Sequence, residues 1–304
     1  MFKSRIFQIS LICFLFAAAV AVQAERDVIT KVFPAREMVK VNTISGDLVI
    51  VQAKGNEISV DIEYDIRPRG SFEPVFKERK SSLVMSEEFH GHSNSGRITW
   101  TVSVPEGTTV DFNTASGDMM VDGFSGEIRS STASGDHDIR NFKGELEIST
   151  ASGDFDIRNS EGIFDLSTAS GNVEITNCRG EIDASSASGD IDISGVIFNE
   201  DCSFSSASGD VYVELAETPK HDLELSSASG NSVLNFNGHP IEGHFEFVAK
   251  YRHGDIESPI DFDDEETFRN PGDRERYVRK TFSRGDKPYI SIRTATGEAV
   301  LEES

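Results

Sequence analysis

The amino-acid sequence predicts an all-β fold, a single-chain parallel β-helix or β-solenoid with coils of about 18 residues. The phrase Ala-Ser-Gly recurs along the chain, at a spacing of 18 residues four times and then of 20 and 21. A second glycine series lies halfway between, so each unit divides into two strands and two turns. The first series comprises Gly117, Gly135, Gly153, Gly171, Gly189, Gly209 and Gly230, and the second comprises Gly126, Gly144, Gly162 and Gly180.

Apolar and polar residues alternate between these glycines, which places the apolar residues of each strand on one side. Stacked units then align these residues in four columns, which neighbouring coils bury together because a single coil cannot. The predicted columns are Met119, His137, Phe155, Val173, Ile191, Val211; Val121, Ile139, Ile157, Ile175, Ile193, Val213; Ile128, Leu146, Phe164, Ile182, Cys202, Leu223; and Ser130, Ile148, Leu166, Ala184, Phe204, Leu225. The glycine at each corner permits a positive φ or a close backbone approach.

The first 24 residues have the features of an export signal. Lys3 and Arg5 precede an apolar run, and small residues allow cleavage after Ala24. No later stretch is apolar and long enough to span a bilayer, so we expect no transmembrane anchor after cleavage. Cys13 lacks the flanking residues of a lipid-attachment site. The protein is therefore expected to be exported, to the periplasm, the medium or the cell surface.

Residues 25–304 are predicted to form one domain. Its regular repeats run from about residue 111 to 235, and two irregular stretches, about 67–96 and 239–287, are interpreted as insertions or end caps that cover the terminal coils. The phrase also occurs in altered form around Gly46 and Gly297. The solenoid is therefore expected to extend over nearly the whole mature chain.

The charge of the chain argues against nucleic acid as a partner. After removal of Lys3 and Arg5 the chain has 27 basic and 52 acidic residues, a net charge of 27 − 52 = −25. Such a charge repels nucleic acid and anionic lipid surfaces. It favours a solvated acidic surface, with cation binding as the alternative.

Several segments resemble a known family. The stretches "VKVNTISGDLVIV", "ITWTVSVPEGTTVDFNTASGD" and "YRHGDIESPIDF", with the serial "ASGD" units, are similar to the bacterial putative-adhesin family with β-strand repeats, a relative of the head GIN domain. The resemblance covers about residues 35–301 and implies an exported, right-handed parallel β-helix whose activity is mostly unassigned.

The resemblance and the regular coils together favour a non-catalytic adhesin or cell-envelope interaction module, with an envelope component, a glycan or a protein as partner. A carbohydrate-active β-helix enzyme and a calcium-binding repeat module are the alternatives. A groove lined by several carboxylates, expected beneath residues 67–96, would favour the enzyme. We predict no enzymatic activity, no catalytic, cofactor-binding or metal-binding residues, and no cofactor.

A column of acidic residues follows the glycines of the first series. Its members stack about 5 Å apart, so they must be solvated, bonded to the backbone of their turns, or bound to cations such as calcium. The Gly-Gly-x-Gly-x-Asp pattern of calcium-binding β-rolls is absent, which favours a structural role. The column consists of Asp118, Asp136, Asp154, Asp190 and Asp210, with Asn172 and Asn231 among them.

Two hydroxyl columns precede the same glycines. Strict alternation from Leu146 and Ile148 places both columns on the inward side. If the alternation resets at the corner, they could instead form an outward array suited to a glycan or to ice. The columns are Thr114, Thr132, Thr150, Thr168, Ser186, Ser206, Ser227 and Ser116, Ser134, Ser152, Ser170, Ser188, Ser208, Ser229.

The spacing of the histidines and cysteines predicts neither a metal site nor a disulfide. His90 and His92 have a spacing that some metal sites use, but no motif supplies further ligands, so they are interpreted as part of a polar loop. The same interpretation applies to His239, His244 and His253, while His137 is expected in the core. Cys202 falls in an apolar column and Cys178 at a turn, so we predict no disulfide between them.

Overall fold

A computed structural model of the chain describes residues 26–91, 94–269 and 274–304. These residues form 27 β-strands and contain no helix, so none of the described segments is an apolar helix long enough to cross a membrane. The predicted signal peptide, residues 1–24, and His92 lie outside the described residues. The all-β solenoid class is confirmed.

Seven strands form the N-terminal part. They are β1 (Asp27–Pro34), β2 (Met38–Asn42), β3 (Asp47–Gln52), β4 (Glu57–Arg67), β5 (Phe72–Glu78), β6 (Ser82–Phe89) and β7 (Ser95–Val104).

The regular coils each contribute two strands. They are β8 (Thr109–Ser116), β9 (Met119–Asp122), β10 (Ser125–Ser134), β11 (His137–Arg140), β12 (Lys143–Thr150), β13 (Phe155–Arg158), β14 (Glu161–Thr168), β15 (Val173–Thr176), β16 (Arg179–Ser186), β17 (Ile191–Phe198), β18 (Cys202–Ser206), β19 (Val211–Leu215), β20 (Leu223–Ser227) and β21 (Ser232–Asn235).

The C-terminal part has six strands. They are β22 (Gly243–Lys250), β23 (Asp255–Glu257), β24 (Asp264–Phe268), β25 (Tyr277–Arg284), β26 (Tyr289–Thr294) and β27 (Glu298–Glu302).

The coils build two parallel sheets that enclose the core. One sheet, here the first sheet, contains β9, β11, β13 and their counterparts, and the second sheet contains β8, β10, β12 and theirs. Phe155 pairs with Val173 and Leu146 with Phe164, so adjacent strands are offset by one 18-residue unit. All members of the four predicted columns are buried, which confirms the predicted register.

The structure adds a fifth inward column at the corner that leads from the first sheet to the second. Phe124, Phe142, Ser160 and Cys178 occupy it, and the Phe124 and Phe142 ring centroids lie 6.1 Å apart. The preceding residue has a positive φ, 52° at Asn141 and 51° at Asn159. Because asparagine tolerates this left-handed conformation, it can turn the chain so that the next side chain points inward.

Close backbone approach explains the glycines of the first series. A Cβ added to Gly153 would lie 1.9 Å from the carbonyl oxygen of Gly135, and one added to Gly171 would lie 1.8 Å from that of Gly153. No side chain fits at such distances, so each coil turns this corner directly against the backbone of its predecessor. The phrase repeats because every coil meets the same restriction.

At both ends the chain doubles back. β2 lies between β6 and β8, and β3 lies between β7 and β9. Likewise β26 lies between β20 and β22, and β27 between β21 and β23. The coils nearest the chain termini are therefore held between two other coils, and antiparallel strands extend the sheets beyond them.

Candidate functional site

The acidic column forms a hydrogen-bonded ladder on the exposed edge of the coils. Asp136 Oδ1 accepts the backbone N–H of Asp154 at 2.9 Å, and Asp154 Oδ1 accepts that of Asn172 at 2.7 Å. The same bond recurs from Asp47 to the N–H of Glu298. Each side chain thus bonds to the backbone of the next coil and not, as expected, to that of its own turn. Among the described residues, no group of three or more His, Cys, Asp and Glu is arranged to hold a metal ion.

The two hydroxyl columns differ in burial: the first faces the core and the second faces the solvent. Thr150 is buried as predicted, but Ser152 is exposed, and so are its counterparts in the second column. The inward prediction for that column is wrong, because Ala151 and Ser152 both face outward and the alternation resets there. In the first column the Ser186 hydroxyl donates to Gly171 O at 3.0 Å and accepts from Gly189 N at 2.8 Å, so it closes the corner.

His137 lies in the core beside Phe155, with its Nε2 3.0 Å from Ser130 Oγ. Burial lowers its pKa to about 4, so the ring is neutral at physiological pH. His90, His239, His244 and His253 lie in separate segments of the chain. His90 lies 3.7 Å from Glu73 and His244 lies 2.7 Å from Ser283, while His239 and His253 occupy turns.

Cys178 and Cys202 are both free and buried. Burial raises the pKa of Cys178 to about 11 and that of Cys202 to about 12, which makes both thiols poor nucleophiles. The predicted absence of a disulfide between them agrees with their separate columns.

The C-terminal hairpin forms a cleft over the second sheet that no sequence pattern predicts. This serine cleft has a volume of about 990 Å³. Its floor is formed by Ser185, Ser205 and Ser226 of β16, β18 and β20, with the alanines that follow at the corner. Its wall is the β24–β25 hairpin, which contributes Phe268 and Tyr277 among other residues.

Register explains how the floor and the wall meet. Ser185 pairs with Ser205, and Ser205 with Ser226, so the hydroxyls form one outward row. The row continues through Arg293, Val248 and Arg279 as the second sheet passes from β20 into β26, β22 and β25. Two arginines therefore follow three serines on the same face.

Ion pairs and ring contacts order the wall. Glu246, whose side chain is only 12% exposed, accepts from Arg293 at 2.8 Å through Oε1 and from Arg279 at 3.4 Å through Oε2. Arg279 also pairs with Glu266 and lies 4.8 Å from the centre of the Phe268 ring. The Phe268 and Tyr277 centroids are 5.8 Å apart. The cleft thus presents hydroxyls, aromatic faces and ion-paired side chains together.

A smaller groove of about 350 Å³ adjoins the serine cleft at Arg293. It is lined by Asp183, Asp201, Asp222 and Glu224. Burial raises the pKa of Asp183, whereas at Asp222 the effect of burial is outweighed by hydrogen bonds from Lys287 and the Tyr289 N–H, which lower the pKa. This acidic groove lies near the C-terminal end, not beneath residues 67–96.

Strand signals around the cleft are visible in the sequence, in "GHFEFVAK" of β22 and "YVRKTFSR" of β25. The cleft itself depends on the pairing of Arg293 with Ser226 and of Arg279 with Val248. No periodicity specifies these long-range registers. The one local signal of the cleft is the row of outward serines, which lies one residue before the inward column.

The family model described as Toastrack DUF4097 matches residues 40–246, which is more than half of the chain. The chain belongs to this family. The match includes the regular coils of this Toastrack protein and ends within β22, and it agrees with the adhesin-type resemblance of the sequence motifs. No curated protein matches the chain.

The Toastrack chain is also similar to solved structures. A putative adhesin from Parabacteroides merdae has 11% identity and a TM-score of 0.47, with 92% of this chain and 97% of that chain covered. A putative adhesin from Parabacteroides distasonis has 12% identity and a TM-score of 0.46, with 93% and 98% covered. A putative lipid binding protein from Parabacteroides distasonis has 10% identity and a TM-score of 0.45, with 92% and 97% covered. With all three TM-scores below 0.5, none assigns a ligand to this Toastrack chain.

Proposed function

We propose that this Toastrack protein is an exported, non-catalytic interaction module of the cell envelope, an adhesin in the broad sense, and that it binds its ligand in the serine cleft. The observation that supports this function is that Arg279 and Arg293 both form ion pairs with Glu246 beside the aromatic wall of the cleft. Both carboxylate oxygens already accept guanidinium hydrogen bonds, which suits positioning and binding more than proton transfer.

The structure offers a direct test of the site. Ser205 lies on the cleft floor, and Ser149 occupies the same outward row on β12, outside the cleft. A tryptophan at either position faces outward, but only Ser205→Trp would fill the cleft. We expect S205W to weaken binding of the purified mature chain to isolated cell envelopes at least tenfold, and S149W to leave it unchanged. Equal binding by both variants would contradict the proposed site.

Export and domain organisation belong to the same proposal. Residues 1–24 would be removed, leaving residues 25–304 as one domain in the periplasm, in the medium or at the cell surface. Expression of the full chain in a bacterium, followed by fractionation and mass spectrometry of the N-terminus, tests this. We expect a mature chain that begins at Glu25 outside the cytoplasm. An intact Met1 terminus in the cytoplasm would contradict it.

A carbohydrate-active enzyme is the second candidate function, favoured by the acidic groove. Asp183 and Asp222 have pKa values shifted in opposite directions, as an acid and a base require. Against this, Asp183 accepts the Ser203 N–H at 2.9 Å and Asp222 accepts the Tyr289 N–H at 2.7 Å, which are structural roles. Release of reducing ends from polysaccharides, abolished by Asp183→Asn, would establish the enzyme.

A further inference from the structure

We infer that the serine cleft binds a neutral, linear glycan that lies across the coils, parallel to the solenoid axis. This inference rests on the proposed function and names the chemistry of its ligand. It is based on three features of the cleft: the hydroxyl row of the floor, the ion pairs that the two arginines form with glutamates of the protein, and the half-buried aromatic rings of the wall.

The hydroxyl row sets the direction of the ligand. Ser185, Ser205 and Ser226 lie on adjacent paired strands, so their hydroxyls repeat about every 4.8 Å along the solenoid axis. A serine hydroxyl both donates and accepts hydrogen bonds, as the hydroxyls of a sugar do. An extended glycan can therefore meet an equivalent partner at each coil, whereas a compact ligand would use only one or two of them.

The ion pairs of Arg279 and Arg293 favour a neutral ligand over an acidic one. Arg293 pairs with Glu246, and Arg279 pairs with both Glu246 and Glu266, so their charges are already compensated. A ligand carboxylate would have to displace Glu246, which is largely buried, and it would approach a mature chain of net charge 27 − 52 = −25. A neutral sugar can accept from the remaining guanidinium N–H groups without breaking either pair.

The aromatic wall supplies the apolar contact. Phe268 and Tyr277 face each other across the antiparallel pair, and both are half-buried on the cleft side. Arg279 covers part of the Phe268 ring. An aromatic ring with an apolar face and a polar edge suits the C–H face of a sugar ring. The cleft volume of about 990 Å³ lies at the upper end of the range of small-ligand pockets, about 300–1,000 Å³, and so accommodates several sugar units.

Titration calorimetry with purified mature chain tests the inference. The probes are neutral hexasaccharides of glucose, mannose, galactose and N-acetylglucosamine, with hexagalacturonate as the acidic probe. We expect at least one neutral hexasaccharide to bind, with at least tenfold higher affinity than its disaccharide because the hexasaccharide spans more coils. Ser205→Trp and Tyr277→Ala should each reduce that affinity at least tenfold, and Ser149→Trp should not change it.

Three results would overturn the inference: no binding of any neutral hexasaccharide, preferential binding of hexagalacturonate, or binding that S205W leaves intact. Melting temperatures of the variants show whether each is folded. If S205W abolishes envelope binding while no neutral glycan binds, the glycan assignment fails and the cleft remains the site of the proposed function. If S205W leaves envelope binding unchanged, the proposed function fails as well.

Discussion

The two ends of the solenoid are both extended by antiparallel strands, on both sheets at the N-terminal end and, among the described residues, on one sheet at the C-terminal end. At the N-terminal end both sheets are extended, by β4 and β1 on the first sheet and by β5 on the second. Phe33 of β1 meets Phe76 of β5 with ring centroids 5.2 Å apart, and Phe76 meets Trp100 at 6.1 Å. An aromatic cluster therefore fills the space between the sheets.

At the C-terminal end, within the described ranges, only the second sheet has antiparallel strands, β25 and β24, while the first sheet ends at the three-residue β23. Phe247, Phe262 and Phe282 pack on the inner side of this extension. Its outer side, with Phe268 and Tyr277, forms the wall of the serine cleft. At the N-terminal end the extension forms an aromatic plug between the sheets, whereas at the C-terminal end the inner side of the extension covers the core and its outer side forms the cleft wall.

The largest expected effect compares the aromatic side chains of the two ends. Trp100 is fully buried, so Trp100→Ala should reduce the free energy of unfolding by about 3–5 kcal/mol. Tyr277 is half-buried on an outer face, so Tyr277→Ala should cost less than about 1 kcal/mol while it impairs ligand binding. Urea denaturation of both variants checks this. Similar destabilisation by the two substitutions would remove the distinction between plug and cleft wall.

Sequence periodicity predicts the strand pairing of the regular coils but not the strand pairing of the two ends. Ile157 pairs with Ile139 and Ile175, which occupy the same position in the preceding and following units. A repeat that is visible in the sequence therefore specifies contacts between residues 18 apart. Ser226 instead pairs with Arg293, 67 residues away, because β22–β25 leave the coil path and return. The order of the terminal coils and the serine cleft depend on such returns, and no residue pattern encodes them.

The next effect concerns His137, in the regular coils between the two ends. Its pKa is about 4 in the folded protein and 6.5 as the unperturbed value, so the unfolded chain binds a proton first as the pH falls. The stability from the neutral ring is present above pH 6.5 and is lost between pH 6.5 and 4, by about 3 kcal/mol. Denaturation across this range should show a steeper loss in the wild type than in His137→Phe. Parallel profiles would show that acid sensitivity originates elsewhere, for example in the ends.

A smaller effect compares one carboxylate from each end. Glu87 of the N-terminal end accepts the Trp100 Nε1–H at 3.1 Å and the Ile44 N–H at 2.7 Å. Glu87→Ala would leave these donors without their acceptor, at a cost of about 1–3 kcal/mol. Glu266 is half-exposed in its pair with Arg279, so Glu266→Ala should cost at most about 1 kcal/mol. Thermal unfolding of the two variants measures the difference, and a larger loss for Glu266→Ala would reverse the comparison.

The smallest effect is expected in the acidic ladder, which runs from Asp47 in the N-terminal part to Glu298 in the C-terminal part. If Asp154 acts through the hydrogen bond that Oδ1 accepts from the Asn172 N–H, asparagine can replace it, as Asn172 itself shows toward Asp190. Asp154→Asn should therefore change the stability by less than about 0.5 kcal/mol. Asp154→Ala removes the acceptor and should cost about 1 kcal/mol. Denaturant unfolding of the two variants, measured side by side, tests the expected order.

Calcium binding is the alternative role of the acidic ladder, and thermal unfolding in calcium tests it. A cation that binds only the folded chain at 100 times its dissociation constant would add about 2.7 kcal/mol per site. For a structural ladder, millimolar calcium should raise the melting temperature no more than magnesium does at equal ionic strength, because both only screen the acidic surface. A large calcium-specific rise that Asp136→Asn and Asp154→Asn abolish would show that the ladder binds metal. It would also provide a ligand site that runs between both ends and is independent of the serine cleft.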